Sequence, residues 1–328
     1  MNRNGSRSVR AVIRAGTSRL EASGLEHARP PTNLPTPLRG AKRVVSATPC
    51  AKAVPAPIRQ VGGGARHESE WLLSRLLDTR PLELYLHDEG LPEQTVARFM
   101  SQIDARASGT PLQYLLGETE FCGERFTVGP GVFIPRPETE TIVEAAAEAL
   151  RSRGGRLGRA LRLLDLGTGS GCIAVTLARH LPACVVVGVE LSWKALCIAK
   201  ANVLRHGLSG RVHLVHGRWL DAIRGTVDGI VSNPPYICSA HVDHLPLDVR
   251  HEPRRSLDGG PDGLRDLLQL VAQAPHHLAP GGILALECGE EQVNALTRMV
   301  QRAAWAASVE PLNDLAGRPR GVLAVRAE

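Results

Sequence analysis

Aromatic residues are scarce in this 328-residue chain, at 3% for phenylalanine, tryptophan and tyrosine together. Surfaces that stack flipped or single-stranded bases favour more of them, and the four tryptophans are spread along the chain. No apolar run approaches the ~18 residues that a membrane-spanning helix needs. The seven cysteines contain no C-x-x-C pair and their number is odd. That excludes a disulfide framework and a zinc ribbon, and it points to a reducing, cytoplasmic setting. Lysine is also rare, with four against 35 arginines, so an arginine-rich stretch has no special meaning in this chain.

The formal charge of +6 is unevenly spread. Residues 1–60 hold eleven Lys/Arg against Glu21 and Glu26, and the remainder is left with 28 bases and 31 acids. A mildly acidic globular part is not built for nonspecific nucleic-acid binding. Residues 1–64 lack aromatics, carry seven prolines and end in Gly62-Gly-Gly64, so a disordered basic extension is expected there. An over-long or dispensable start is the first reading of it. A mitochondrial or plastid transit peptide is the second.

Residues 65–118 have a helical pattern, through Trp71–Leu77, Leu82–Leu86 and Val96–Ile103, with turn chemistry at 88–92. They predict a small all-helical domain that presents a partner. Residues 119–137 alternate and carry Gly/Pro turns, as a β-hairpin linker does. Pro137 suits the first position of a helix, followed by Glu138 and Glu140 in its first turn. Residues 138–328 then alternate strand and helix, which predicts an α/β fold with a mostly parallel sheet. Strands are expected at 161–166, 184–190, 211–216, 227–232 and 282–288. A closing antiparallel hairpin is expected over 305–326.

Within that sheet, Asp165 ends a strand and Gly167, Gly169 and Gly171 follow at alternate positions, with Thr168 and Ser170 between them. Glycines allow a tight turn and close backbone approach to a ligand. Glu190 ends the next strand, well placed to accept two ribose hydroxyls. The G-x-G-x-G spacing suits a ligand with an amino-acid part and a ribose, and favours S-adenosylmethionine over a nicotinamide dinucleotide.

A second loop, Asn233-Pro234-Pro235-Tyr236, leaves another strand end. Two prolines stiffen it and remove competing N–H donors. Acceptors beside an aromatic ring suit a planar group bearing an N–H₂.

Asp165–Gly171 and Val231–Ile237 resemble the class I methyltransferases that modify exocyclic or amide nitrogen. Thr110–Gly117, Phe133–Glu140, Glu252–Gly260 and Asp314–Arg318 narrow the likeness, which runs from about residue 66 to the end, to the peptide chain release factor glutamine methyltransferases. The resemblance implies a Rossmann-like methyltransferase sheet, S-adenosylmethionine as cofactor and transfer of its methyl group to a glutamine side-chain amide nitrogen. It implies that Gly167 to Gly171 wrap the methionine part, that Glu190 holds the ribose and that Trp219 lies beside the adenine. Asn233 would serve both pockets, Pro234 to Tyr236 would hold the glutamine, and Arg136 would lie on the substrate side. Two positions depart from the family pattern: Glu190 replaces the usual Asp, and Arg218 replaces the usual acid before the tryptophan.

The chemistry asks for geometry more than for a strong base, because an amide lone pair is delocalised into its carbonyl. The Asn233 side-chain oxygen and the Pro234 carbonyl are expected to accept the two amide N–H bonds, with Tyr236 packed on the flat amide. The rival readings are methylation of a ribosomal-protein glutamine, N6-methylation of adenine in nucleic acid, and a binding protein that has lost turnover. The chain is expected to act as a monomer without a metal: His241, Asp243, His244 and His251 lack ligand spacing. Cys172 reads as a small packed thiol.

Overall fold

The structure, a computed structural model, describes residues 7–25, 64–86 and 90–328. The described chain divides into two compact units, Met1–Leu116 and Gly117–Glu328.

The first unit is helical: α1 (Val9–Ala22), α2 (Ala65–Leu76), α3 (Glu93–Ala107) and α4 (Leu112–Leu116), with a 3₁₀ turn at Glu83–Tyr85. Two short strands, β1 (Arg7–Ser8) and β2 (Gly90–Leu91), pair antiparallel. Helix α1 corrects the expectation of disorder across 1–64. Val9, Val12, Ile13, Gly16 and Leu20 form one buried stripe at helical spacing, and the Ser8 side chain caps the helix by accepting from Ala11 N. That stripe joins Leu72, Leu73, Phe99 and Ile103 in one core. Gly16 is where α1 meets α3, since a Cβ there would lie 2.7 Å from Phe99 Cζ. Arg106 is buried with both Glu68 oxygens on its guanidinium, at 2.8 and 3.1 Å. The rest of the expected extension, residues 1–6 and 26–63, and the start of the turn expected at 88–92 lie outside the described residues.

The second unit opens with the hairpin β3 (Glu118–Phe121) and β4 (Glu124–Thr127), followed by a loop and α5 (Pro137–Leu157). The hairpin is shorter than the 119–137 expected, and Pro137 belongs to the helix it starts. The main sheet follows as β5 (Leu161–Leu166), β6 (Cys184–Glu190), β7 (Val212–His216), β8 (Val227–Ser232), β9 (Leu278–Glu287), β10 (Ala306–Asn313) and β11 (Pro319–Arg326). Between them run α6 (Cys172–His180), α7 (Trp193–Arg205), the single turns α8 (Ser239–Val242) and α9 (Leu247–Arg250), α10 (Arg265–His277) and α11 (Val293–Arg302).

The strand order is β10-β11-β9-β8-β5-β6-β7. The five strands from β9 to β7 are parallel, and β11 and β10 close the edge antiparallel. Strands β5 and β8 are neighbours whose chains wind away in opposite directions, the switch point at which open α/β sheets hold ligands. Register fixes what gathers there. Leu166 sits beside Ser232 and Val189, and Ser232 beside Leu286. The residues that follow, Gly167, Asn233, Glu190 and Glu287, therefore emerge side by side at the C-terminal ends of four adjacent strands.

Candidate active site

Asp165 is the anchor of the glycine loop. It is 0% exposed. Its Oδ2 accepts from the Thr168 hydroxyl and, at 3.0 Å, from Ala174 N in the first turn of α6. Burial pushes its carboxyl up to about 7 despite those two bonds. Asp165 thus holds the loop from beneath and does not line the cavity above it. Gly167, Gly169 and Gly171 all have positive φ, of 73, 56 and 82°. Glu190 closes the loop from the side: its Oε2 accepts from Gly169 N at 2.9 Å and its Oε1 from Ser192 N at 2.7 Å.

These elements border a cavity of about 780 Å³, the size that takes a ligand of several hundred daltons. Gly167, Thr168, Gly169, Ser170, Glu190 and Trp219 all line it, and so do Asn233 and Pro235. Trp219 lies with φ of 45°, its ring over Gly167, where an added Cβ would come within 3.2 Å of it. Its indole N–H donates to Asp266 at 3.2 Å. Asp266 was invisible to motif reasoning because it sits in the first turn of α10, far along the chain. It is buried, lines the cavity and brings a carboxylate to the end where Arg218 replaces an acid. Arg218 itself reaches Gln269 at 3.2 Å and lies 3.9 Å from Asp266.

The tetrad is placed differently from expectation in part. Asn233 faces the cavity, and its Nδ2 donates to Thr139 Oγ1 at 3.0 Å. Its Oδ1 has no partner among the described residues. Gly171, Pro234, Tyr236 and Arg136 are not among the cavity-lining residues. Tyr236 turns inward: its hydroxyl donates to Glu287 Oε1 at 3.2 Å, and its ring packs against the apolar cluster between the sheet and α10 and α11. Burial and the facing Glu287 push its phenol well above the usual range. The hydroxyl is thus committed to Glu287, and the residue is half-buried.

Arg136 stacks on the Phe133 ring, 4.7 Å from its centre, and pairs with Glu252. Glu252 also accepts from Ile134 N at 2.8 Å, so the pair ties the proline-flanked loop to the segment after the tetrad. Cys172 is buried beside the loop with its thiol pushed up to about 12 by burial, which makes it packing and not a nucleophile. Among the described residues no cluster of His, Cys, Asp or Glu is arranged to hold a metal ion.

Comparison with known proteins bears directly on this site. A family model described as the methyltransferase small domain matches residues 156–246, and one described as the PrmC N-terminal domain matches residues 59–117. A release factor glutamine methyltransferase of Moorella thermoacetica is 41% identical over 283 residues, covering 84% of this chain and 98% of that protein. The same enzyme of Geobacter sulfurreducens is 45% identical over 244 residues, covering 74% of this chain and 83% of that protein.

The chain belongs to the release factor glutamine methyltransferase family. As a member it is an S-adenosylmethionine-dependent methyltransferase, and the cavity fits that cofactor on its own chemistry. The glycine loop offers a backbone wall without side chains, Glu190 offers a carboxylate for a diol, and the Trp219 end offers a ring edge and the Asp266 carboxylate. In this methyltransferase no helix of the described residues is long and apolar enough to cross a membrane.

Proposed function

We propose that this enzyme methylates the side-chain amide nitrogen of a glutamine in a peptide chain release factor, and so supports translation termination. The observation that carries the site assignment is Asn233, which lines the same cavity as Glu190 and the glycine loop and whose Oδ1 has no partner among the described residues. When bound, S-adenosylmethionine supplies an electrophilic methyl group. Gly167, Thr168, Gly169 and Ser170 would hold its amino-acid part and Glu190 its ribose, with Trp219 and Asp266 at the base.

The chain's own task is to present the amide nitrogen. Asn233 Oδ1 accepts one amide N–H and orients the group. Acceptance also stabilises the positive charge that develops on nitrogen as its lone pair is used. Pro235 lines the substrate side of the cavity, and two consecutive prolines keep the loop from rearranging when the amide enters. The proton leaves to water after transfer, so no dedicated base is required. Tyr236 supports the loop through Glu287.

Removing one such acceptor costs about 3–4 kcal/mol of barrier, so Asn233→Ala is expected to lose about two to three orders of magnitude in kcat. The assay is transfer of labelled methyl to purified release factor. A folded Asn233→Ala enzyme that turns over at the normal rate would overturn the assignment.

A further inference from the structure

An asparagine amide can face a cavity with either its oxygen or its NH₂, and only the oxygen can accept an N–H from a substrate amide. What decides the orientation lies behind Asn233. Its Nδ2 is 3.0 Å from Thr139 Oγ1, and that hydroxyl is 2.6 Å from Glu287 Oε2. Thr139 is 2% exposed and Glu287 1%, so water does not compete for either. A hydroxyl has a single proton. A carboxylate can only accept, so the Thr139 proton is committed to Glu287 and its oxygen is left as an acceptor.

We infer that Glu287 and Thr139 are positioning residues that set the polarity of Asn233, forcing its NH₂ backward and its oxygen toward the substrate. This rests on the substrate-binding role proposed for Asn233. The second Glu287 oxygen is occupied by the Tyr236 hydroxyl at 3.2 Å, which leaves the carboxylate with one donor on each side. The chain of bonds crosses three elements: the first turn of α5, the end of β8 and the end of β9. Only the register of Ser232 with Leu286 brings the last two together.

The device works while Glu287 is ionised. Once protonated, Glu287 can donate to Thr139, whose own proton then turns to Asn233 and lets the amide flip. The groups that set this balance are Tyr236, Glu138 on α5, Arg320 on β11 and the adjacent Cys288. Burial above all pushes Glu287 up to about 7, against the bonds from Thr139 and Tyr236.

The test compares Glu287→Gln, Thr139→Val, Thr139→Ser and Asn233→Ala with the natural enzyme. It reads kcat and KM for release factor at saturating S-adenosylmethionine, and S-adenosylhomocysteine affinity by calorimetry. A glutamine at 287 can donate to Thr139 and so permits the wrong orientation. Glu287→Gln and Thr139→Val are expected to lower kcat about 30-fold or more, with KM and S-adenosylhomocysteine affinity changed less than about threefold. Thr139→Ser, which keeps the hydroxyl, recovers most of the rate. The natural enzyme loses kcat as pH falls through about 7, and Glu287→Gln is flat over the same range.

Normal kcat in folded Glu287→Gln or Thr139→Val, beside a dead Asn233→Ala, would overturn this inference and leave the role of Asn233 standing. An active Asn233→Ala would remove both. A loss of S-adenosylhomocysteine affinity as large as the loss of kcat would show a merely structural role and also overturn it.

Discussion

Leu20→Ala tests whether α1 is an integral part of the helical unit. Leu20 is completely buried on the last turn of that helix, in one core with Leu72, Leu73, Phe99 and Ile103. Truncating a leucine in a packed core costs about 2–5 kcal/mol, because the lost transfer energy is joined by the cost of the cavity. A small unit has only about 5–15 kcal/mol of stability to lose. Hydrogen–deuterium exchange read on peptides from α2 and α3 isolates this unit from the methyltransferase unit. If those amides exchange through opening of the unit, a loss of 2 kcal/mol or more speeds them by about 30-fold or more. Ser18→Ala, exposed on the same helix, is the control and should change exchange by little. Unchanged exchange in Leu20→Ala would refute the packing of α1 and return residues 7–25 to the status of a tail.

Three further outcomes follow from the site. Glu190→Gln should weaken S-adenosylhomocysteine binding about tenfold or more by calorimetry, since the carboxylate holds Gly169 N, lines the cavity and is the group proposed to hold the ribose. Gly167→Ala places a methyl group 3.2 Å from the Trp219 ring at a φ of 73°, so cofactor affinity should fall while the melting temperature drops only modestly. Asp165 keeps its proton in the folded protein up to about pH 7, whereas the unfolded chain loses it near the ordinary carboxylate value. The folded state therefore binds the extra proton between those limits, and stability falls as pH rises through them. Denaturant midpoints of Asp165→Asn should fall less than those of the natural protein between about pH 4 and 7.

The sheet was legible because each buried strand is a short apolar run bounded by turn residues, and the β5 to β9 expectations differ from the structure mainly at their ends. Gly167 to Ser170, Glu190 and Asn233 were legible because their chemistry is local to a motif, Trp219 was legible only through the family resemblance, and all of them line one cavity. Helix α1 was missed for a physical reason. The lack of aromatics and the prolines and glycines across residues 1–64 read as disorder, while its signal was the capping Ser8 and the spacing Val9, Val12, Ile13, Gly16, Leu20. Its core partners lie beyond residues 26–63, so no local window shows them. The inward turn of Tyr236 was equally hidden, because it depends on Glu287, 51 residues away at the end of an apolar strand. Glu287 and Asp266 carry no motif of their own, and Thr139, though inside the Phe133–Glu140 stretch, becomes significant with them only through register and burial.

The destination of the methyl group decides whether this enzyme acts on a release factor. Purified enzyme is incubated with labelled S-adenosylmethionine and, separately, with release factor, ribosomes or DNA, and the labelled product is mapped by mass spectrometry. The expected product is one methyl on a glutamine side-chain amide of the release factor, lost when that glutamine is replaced. Label on a ribosomal protein or on DNA, with none on the release factor, would contradict it.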